Sequence, residues 1–252
     1  MTSTDTVATV QAELMSPAEL DAAVEAVPVA YLPLGTLEFH SAHLPIGLDA
    51  LTAHGVCVGA AYKVGGIVLP PVYQGTGGGH SNYPWTVMMN SPDSIRSHLE
   101  QTLVKLESFG VRVAVVFTGH FADEQLAMID DIALVWNADA EHSLSVLATA
   151  VNRCSSSPVP PDHAGLFETS LLFALRPDLV HLERLPSIAE RPAIDRDGDS
   201  MGNQRHNRTH PLWGIFGPDP RTMDADESRA VRSALVTWMC DEVSTLLRSK
   251  TT

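Results

Sequence analysis

Basic residues are scarce in this chain of 252 residues: 16 Lys+Arg stand against 30 Asp+Glu, a formal net charge of −14. A surface so acidic repels phosphate backbones and anionic lipid, which argues against nucleic acid or a membrane surface as a partner. Aromatic residues are only 6% of the chain, too few for base-stacking platforms. Cys57, Cys154 and Cys240 are widely spaced, odd in number and form no CxxC pair, so neither a disulfide framework nor a thiolate metal cage is expected. No apolar run approaches the ~20 residues that span a bilayer. Met1 to Leu14 carries acidic residues where a secretory leader would be basic and then apolar. The expectation is a soluble cytoplasmic protein.

What is present suits a buried core. Hydrophobic residues make up 44% of the chain and charged residues 18%, and the length fits a single domain over 1–252. Ser16-Pro17-Ala18-Glu19 opens a helix with a capping-box pattern that runs to about Val27. The apolar run Val29 to Leu34 reads as a buried strand, Asp49 to Tyr62 as a helix stopped by Gly65-Gly66, and Ile67 to Leu69 as a short strand cut off by Pro70-Pro71. Ser91-Pro92-Asp93 starts a helix to about Phe109, followed by a β-branched strand from Val111 to Thr118. Asp123 to Trp136 is helical, Ser143 to Ala148 a strand, Leu166 to Leu175 a short helix. A last helix runs from about Asp226 to Leu247, with Arg229, Arg232 and Arg248 on its polar face. This alternation predicts an α/β layered fold with a mostly parallel central sheet flanked by helices. Pro186 to Pro211 lacks hydrophobic periodicity and reads as a long loop.

Eleven histidines are the compositional oddity. Ligands of open α/β sheets bind beyond the carboxyl ends of the strands, and three unusual segments follow strands here. Gly35-Thr36-Leu37-Glu38-Phe39-His40-Ser41-Ala42-His43-Leu44-Pro45, with Asp49 beyond it, crowds carboxylates and imidazoles between two apolar elements. Such a donor set suits zinc, manganese or iron(II). Glu38 and His40 share a face if that stretch is extended, and Asp49 stands where it would cap the next helix. Gly119-His120 follows the strand Val111 to Thr118, and Asp162-His163-Ala164-Gly165 with Glu168-Thr169-Ser170 follows the strand Ser143 to Ala148, where Thr169 or Ser170 could cap a helix. Gly77-Gly78-Gly79-His80 could shape a pocket edge, with His80 touching substrate. No Lys-Ser/Thr follows that run, so a phosphate loop is a weak reading.

The first of these segments resembles the signature loop of the creatininase (creatinine amidohydrolase) family, G-[ST]-x-E-x-H-G-P-H-L-P with an Asp a few residues on. The resemblance continues through His80-Ser81-Asn82-Tyr83-Pro84-Trp85-Thr86, Gly119-His120, His163-Ala164-Gly165 with Glu168-Thr169-Ser170, Arg176-Pro177-Asp178-Leu179-Val180 and Trp213-Gly214-Ile215-Phe216-Gly217. It implies an α/β layered enzyme with two divalent ions per subunit (Zn, Mn or Fe), assembled as a homo-oligomer, often a hexamer. Carried over by position, Glu38 and His120 would hold one ion and His40 part of the other. Asp49 would bridge them, Glu168 would serve as ligand or base, and His163 would shuttle a proton or polarise the substrate. Phe121, Asp123 and His80 would face the substrate.

The departures carry information too. Creatininase itself has a ligand Glu where this chain has Ala122, so a second ion would be held more weakly, or by Asp123 or Glu168 instead. It has a tryptophan before the His-Ala-Gly block, where Asn152 to Pro161 here has none, and Ser41-Ala42 replaces Gly-Pro. The expected activity is therefore hydrolysis of a small or cyclic amide C–N bond by a metal-activated hydroxide, with a substrate other than creatinine. Cleavage of a carbon–carbon bond in an oxidised cyclitol is the alternative within the family. A family fold with a degraded metal site, or a nucleotide- or sugar-binding module, are the non-catalytic alternatives.

Overall fold

Three strands of six residues carry the centre of the molecule, which is a computed structural model described for residues 9–79, 82–89, 91–191 and 206–249. They are β1 (Val29–Leu34), β5 (Val113–Thr118) and β6 (Ser145–Ala150), joined by the short β2 (Ile67–Val68) in a parallel sheet of order β2-β1-β5-β6. Both central strands are buried along their whole length. Two-residue periodicity then sends alternate side chains to opposite faces. Val29, Tyr31, Val113, Val115 and Phe117 meet α2 (Leu48–Val64), α5 (Leu166–Leu175) and α6 (Ala225–Ser249), while Ala30, Leu32, Leu34, Ala114 and Val116 meet α3 (Asp93–Ser108) and α4 (Asp123–Ala138). A sheet covered on both faces needs continuous apolar strands rather than alternating ones, which is why these runs were legible.

Helix ends follow local chemistry. At α1 (Pro17–Ala26) the Ser16 hydroxyl accepts the Glu19 N–H while the Glu19 carboxylate accepts the Ser16 N–H at 2.7 Å, the reciprocal cap expected. Gly65, at φ 103°, ends α2 in a conformation that only glycine adopts readily. Two starts differ from expectation. Asp49 is not a cap: the chain has already turned through Pro45 and Gly47, Gly47 holds the capping position, and Asp49 lies inside the first turn of α2. Thr169 and Ser170 do not cap α5 either, because they lie within it and are buried. A parallel pair, β3 (Gly75–Thr76) with β4 (Met88–Met89), was not foreseen; two-residue strands leave no periodicity to read. Most of the stretch expected to be a long loop, Pro186 to Pro211, lies outside the described residues, at 192–205.

The connection leaving β1 crosses to β2 on one side and β5 lies on the other, so the chain switches direction between β1 and β5. Leu34 and Thr118 are register partners, which sets Gly35 beside Gly119 just past the strand ends. The first turn of α2 rests on this pair. A Cβ on Gly35 would lie 2.2 Å from the Ala50 backbone nitrogen, and one on Gly119 would lie 2.1 Å from the Asp49 backbone carbonyl oxygen. The absence of both side chains lets Asp49 sit directly over the switch point, where an open α/β sheet places its ligands.

Candidate metal centre

Six of the residues singled out from sequence meet at this point: Glu38, His40, Asp49, His120, His163 and Glu168. Glu38 and His40 come from the loop after β1, Asp49 from α2, His120 from the loop after β5, His163 and Glu168 from the loop and helix after β6. Three groups bring ligand atoms within 4.8 Å of one another: Glu38–Asp49–His120, His40–Asp49–Glu168 and Glu38–His40–His163. The first two share Asp49. His120 Nδ1 lies 3.0 Å from Glu38 Oε2 and 3.4 Å from Asp49 Oδ2, and His40 Nε2 lies 3.2 Å from Asp49 Oδ1 and 3.5 Å from Glu168 Oε2.

Backbone carbonyls orient two of the imidazoles. His40 Nδ1 is 2.9 Å from the Glu38 carbonyl and His163 Nε2 is 3.1 Å from the Phe39 carbonyl. A carbonyl only accepts, so each of these nitrogens carries the proton. The other nitrogens, His40 Nε2 and His163 Nδ1, are then the basic ones. His40 Nε2 is aimed at Asp49 and Glu168, and His163 Nδ1 stands 4.0 Å from Glu38 Oε1. For His40, the far N–H tied to a carbonyl and Nε2 turned to two carboxylates are the arrangement of a metal-ligand imidazole.

The electrostatics demand positive charge. Burial disfavours protonated His40, but Asp49, Glu168 and Glu38 outweigh it and lift its pKa to about 10. His120 is likewise opposed by burial and raised to about 10 by Asp49 and Glu38. Burial would raise Asp49, yet His40 and His120 hold it below the ordinary carboxylate value. Burial, with Asp49 and Asp162 adding to it, pushes Glu168 well above that value against the pull of His40. Three buried carboxylates thus compete for two imidazolium protons. His40 Nε2, Asp49 Oδ2 and His120 Nε2 have no well-aligned hydrogen bond among the described residues. Divalent cations would satisfy both the charge and the first two of these atoms, so the donor set fits zinc, manganese or iron.

A cleft of about 500 Å³ opens onto the centre. Besides ligand candidates it is lined by Gly78 and Gly79, by Phe121, Ala122 and Asp123, and by Glu124, whose carboxylate accepts the Gly78 N–H at 3.1 Å. Phe121 and Asp123 are therefore placed where a substrate could touch them; His80 lies outside the described residues. His43, the other imidazole of the first loop, is turned away toward Thr169 Oγ1 at 3.0 Å, and burial, then the charge of His40, drops its pKa to about 3. Ser41, in the place of the signature glycine, adopts φ 61°.

The family model for creatininase (creatinine amidohydrolase) matches residues 13–243. This chain belongs to the creatininase family. It is 26% identical over 213 residues to the creatinine amidohydrolase of Pseudomonas putida, covering 76% of this chain and 75% of that protein. It is also 26% identical over 227 residues to the mycofactocin precursor peptide peptidase of Mycolicibacterium smegmatis, covering 86% and 85%. A crystal structure of creatininase superposes with a TM-score of 0.75 at 24% identity, covering 94% of this chain and 97% of that one, a likeness of fold. Manganese and Zn–Zn forms of creatininase superpose with TM-scores of 0.73 and 0.74 at 22% identity. The α/β architecture with its parallel sheet is thus that of the creatininases. Sequence reasoning passed over two residues beside the site. Asp162 was quoted only as the neighbour of His163, although an Asp shortly before a helix is a capping signal. Phe39 lies between two ligand candidates, and its role as carbonyl partner of His163 has no sequence signature.

Proposed function

We infer that this chain is a metal-dependent hydrolase of an amide C–N bond in a small molecule other than creatinine, with two divalent cations in the centre. The observation that carries the reading is the pair of buried ligand groups that share Asp49 at the floor of an open cleft. Glu38, Asp49 and His120 would hold one ion and His40, Asp49 and Glu168 the other. Such ions, when bound, polarise a carbonyl and make water acidic enough to attack near neutral pH.

The chain's own groups supply the rest. His163 keeps its Nε2 proton on the Phe39 carbonyl, so Nδ1 is the atom that takes a proton from the attacking water and returns it to the leaving nitrogen. Glu168 Oε2, fixed by the Ala164 N–H at 2.6 Å, is the oxygen turned toward His40. Phe121 gives the substrate an apolar contact, Asp123 a carboxylate at the cleft rim, and Gly78 and Gly79 a backbone wall without side chains.

A peptide end as substrate is the second reading. The cleft is larger than a small cyclic amide requires, and one relative is a peptide peptidase. Chelation with restoration tests the common part. Metal-stripped protein supplied with Mn²⁺ or Zn²⁺ should bind two ions and regain hydrolysis of an amide panel that includes short peptides, cyclic amides and formamides. Retained hydrolysis in the stripped protein, or no ion uptake, would refute it.

A further inference from the structure

Glu168 is held by a residue outside every ligand group. The Asp162 side chain is buried, and its Oδ1 accepts the backbone N–H of Gly165 at 3.2 Å and of Glu168 at 3.3 Å, while its Oδ2 accepts that of Phe167 at 2.9 Å. These amides form the N-terminus of α5, where the helix has no side-chain cap of its own and favours negative charge. The carboxylate occupies a slot that only two glycines leave open. A Cβ on Gly165 would lie 2.4 Å from Asp162 Oδ2, and one on Gly217 would lie 2.3 Å from Asp162 Cβ. Next to it the chain passes through Ala164 at φ 53°, and this left-handed turn brings the Ala164 N–H onto Glu168 Oε2. The backbone of His163 is pinned from the other side by reciprocal bonds with Phe216, at 2.9 and 2.8 Å.

We propose that Asp162 is a positioning residue of this centre: by tying down the first turn of α5 and the left-handed turn at Ala164, it fixes the direction of the Glu168 carboxylate and so assembles the cation site shared by His40, Asp49 and Glu168. Asp162 belongs to none of the ligand groups. The inference rests on the metal-centre reading above, and it separates two roles. A plain helix cap affects stability alone, whereas a positioning residue affects one cation site and spares the other.

The test compares wild type with Asp162→Ala and Asp162→Asn in two measurements. Manganese titration by calorimetry reads each site. In D162A the affinity of the site containing Glu168 should fall at least tenfold while that of Glu38, Asp49 and His120 stays within threefold. D162N keeps the oxygen that accepts two of the three amides and should fall between wild type and D162A. Should D162A not fold, D162N carries the comparison alone. Amide hydrogen exchange in metal-free protein gives the second readout. Exchange at Ala164 and Glu168 should quicken at least tenfold in D162A, with Leu32 and Val115 in the central strands within twofold of wild type. Unchanged affinity in both variants, or both sites weakening in step with general loss of exchange protection, would overturn the proposal. If wild type itself takes up no manganese, the metal-centre reading falls, and exchange alone decides whether Asp162 positions Glu168.

Discussion

At Ser41 the backbone sits at φ 61°, a region that costs a residue with a side chain about 1–2 kcal/mol. The residue follows His40 directly, so the strain holds the turn that returns the chain from the centre toward Leu44. Ser41→Gly should relieve it. Allowing for the greater freedom of glycine in the unfolded chain, denaturant unfolding should show a gain of about 0.5–1 kcal/mol. An equal loss would mean that the hydroxyl, and not the backbone, governs this position. Asp49 is the opposite case, a side chain that two groups share. Asp49→Ala should abolish binding of both ions and with it turnover, whereas Glu168→Ala should remove only one ion. Elemental analysis of purified variants checks this directly. The candidate ligands were readable in sequence because carboxylate and imidazole crowd into short stretches after strands. Their pairing was not, since it depends on three loops that meet only once the sheet is built. The part of Asp162 was hidden for the same reason: its slot is completed by Gly217, which lies far along the chain, between α5 and α6.

Among elements, the contact of α2 with the strand ends sets the position of Asp49. Gly119→Ala would place a Cβ 2.1 Å from the Asp49 oxygen, and backbone on both sides cannot yield as a flexible side chain would. We expect about 3 kcal/mol of destabilisation with loss of cation binding, measured by urea unfolding and manganese titration. Wild-type affinity in a G119A variant would show that α2 can shift without cost to the site. A second junction lies at the other end of the sheet, where Glu107 at the end of α3 accepts the N–H groups of Ser143 and Leu144 and contacts His142 at 2.9 Å. Partial burial opposes its charge, but these donors win and bring its pKa to about 2. A carboxylate held lower in the folded than in the unfolded chain adds stability at neutral pH that disappears as pH falls from about 4.5 through 2. Glu107→Gln should therefore cost ~1 kcal/mol at pH 7 and progressively less on acidification. A penalty independent of pH would remove charge from the explanation. The long strands and helices were legible because burial on two faces demands apolar runs and helices declare their ends. The boundaries moved where tertiary structure intervened, as at Asp49, whose helix begins earlier because the Pro45–Gly47 turn already caps it.

For the molecule as a whole, the decisive quantity is the charge enclosed beyond the carboxyl ends of the central strands. Glu38, Asp49 and Glu168 are buried together on a chain of net charge −14, and only two imidazoles of the ligand groups that share Asp49 can answer them. In metal-free protein the raised pKa values of His40, His120 and Glu168 put the balancing protons on these three groups, and Asp49 Oδ2, 3.4 Å from His120 Nδ1, has no well-aligned hydrogen bond among the described residues. Cations bind the folded arrangement of these ligands, which the unfolded chain does not preserve, so occupancy must add to stability by mass action. At a free concentration one hundred times the dissociation constant, each site contributes about 2.7 kcal/mol, and for a chain of this length each kcal/mol moves the thermal midpoint by roughly 2–4 °C. Saturating manganese should therefore raise the midpoint of chelator-treated protein by roughly 10–20 °C if both sites fill and by about half that if one does. Asp49→Ala should show almost no such rise, because it removes the carboxylate common to both groups. A wild-type midpoint indifferent to manganese and zinc alike would mean that the buried carboxylates are balanced by protons alone, and the enclosed charge would have no bearing on catalysis.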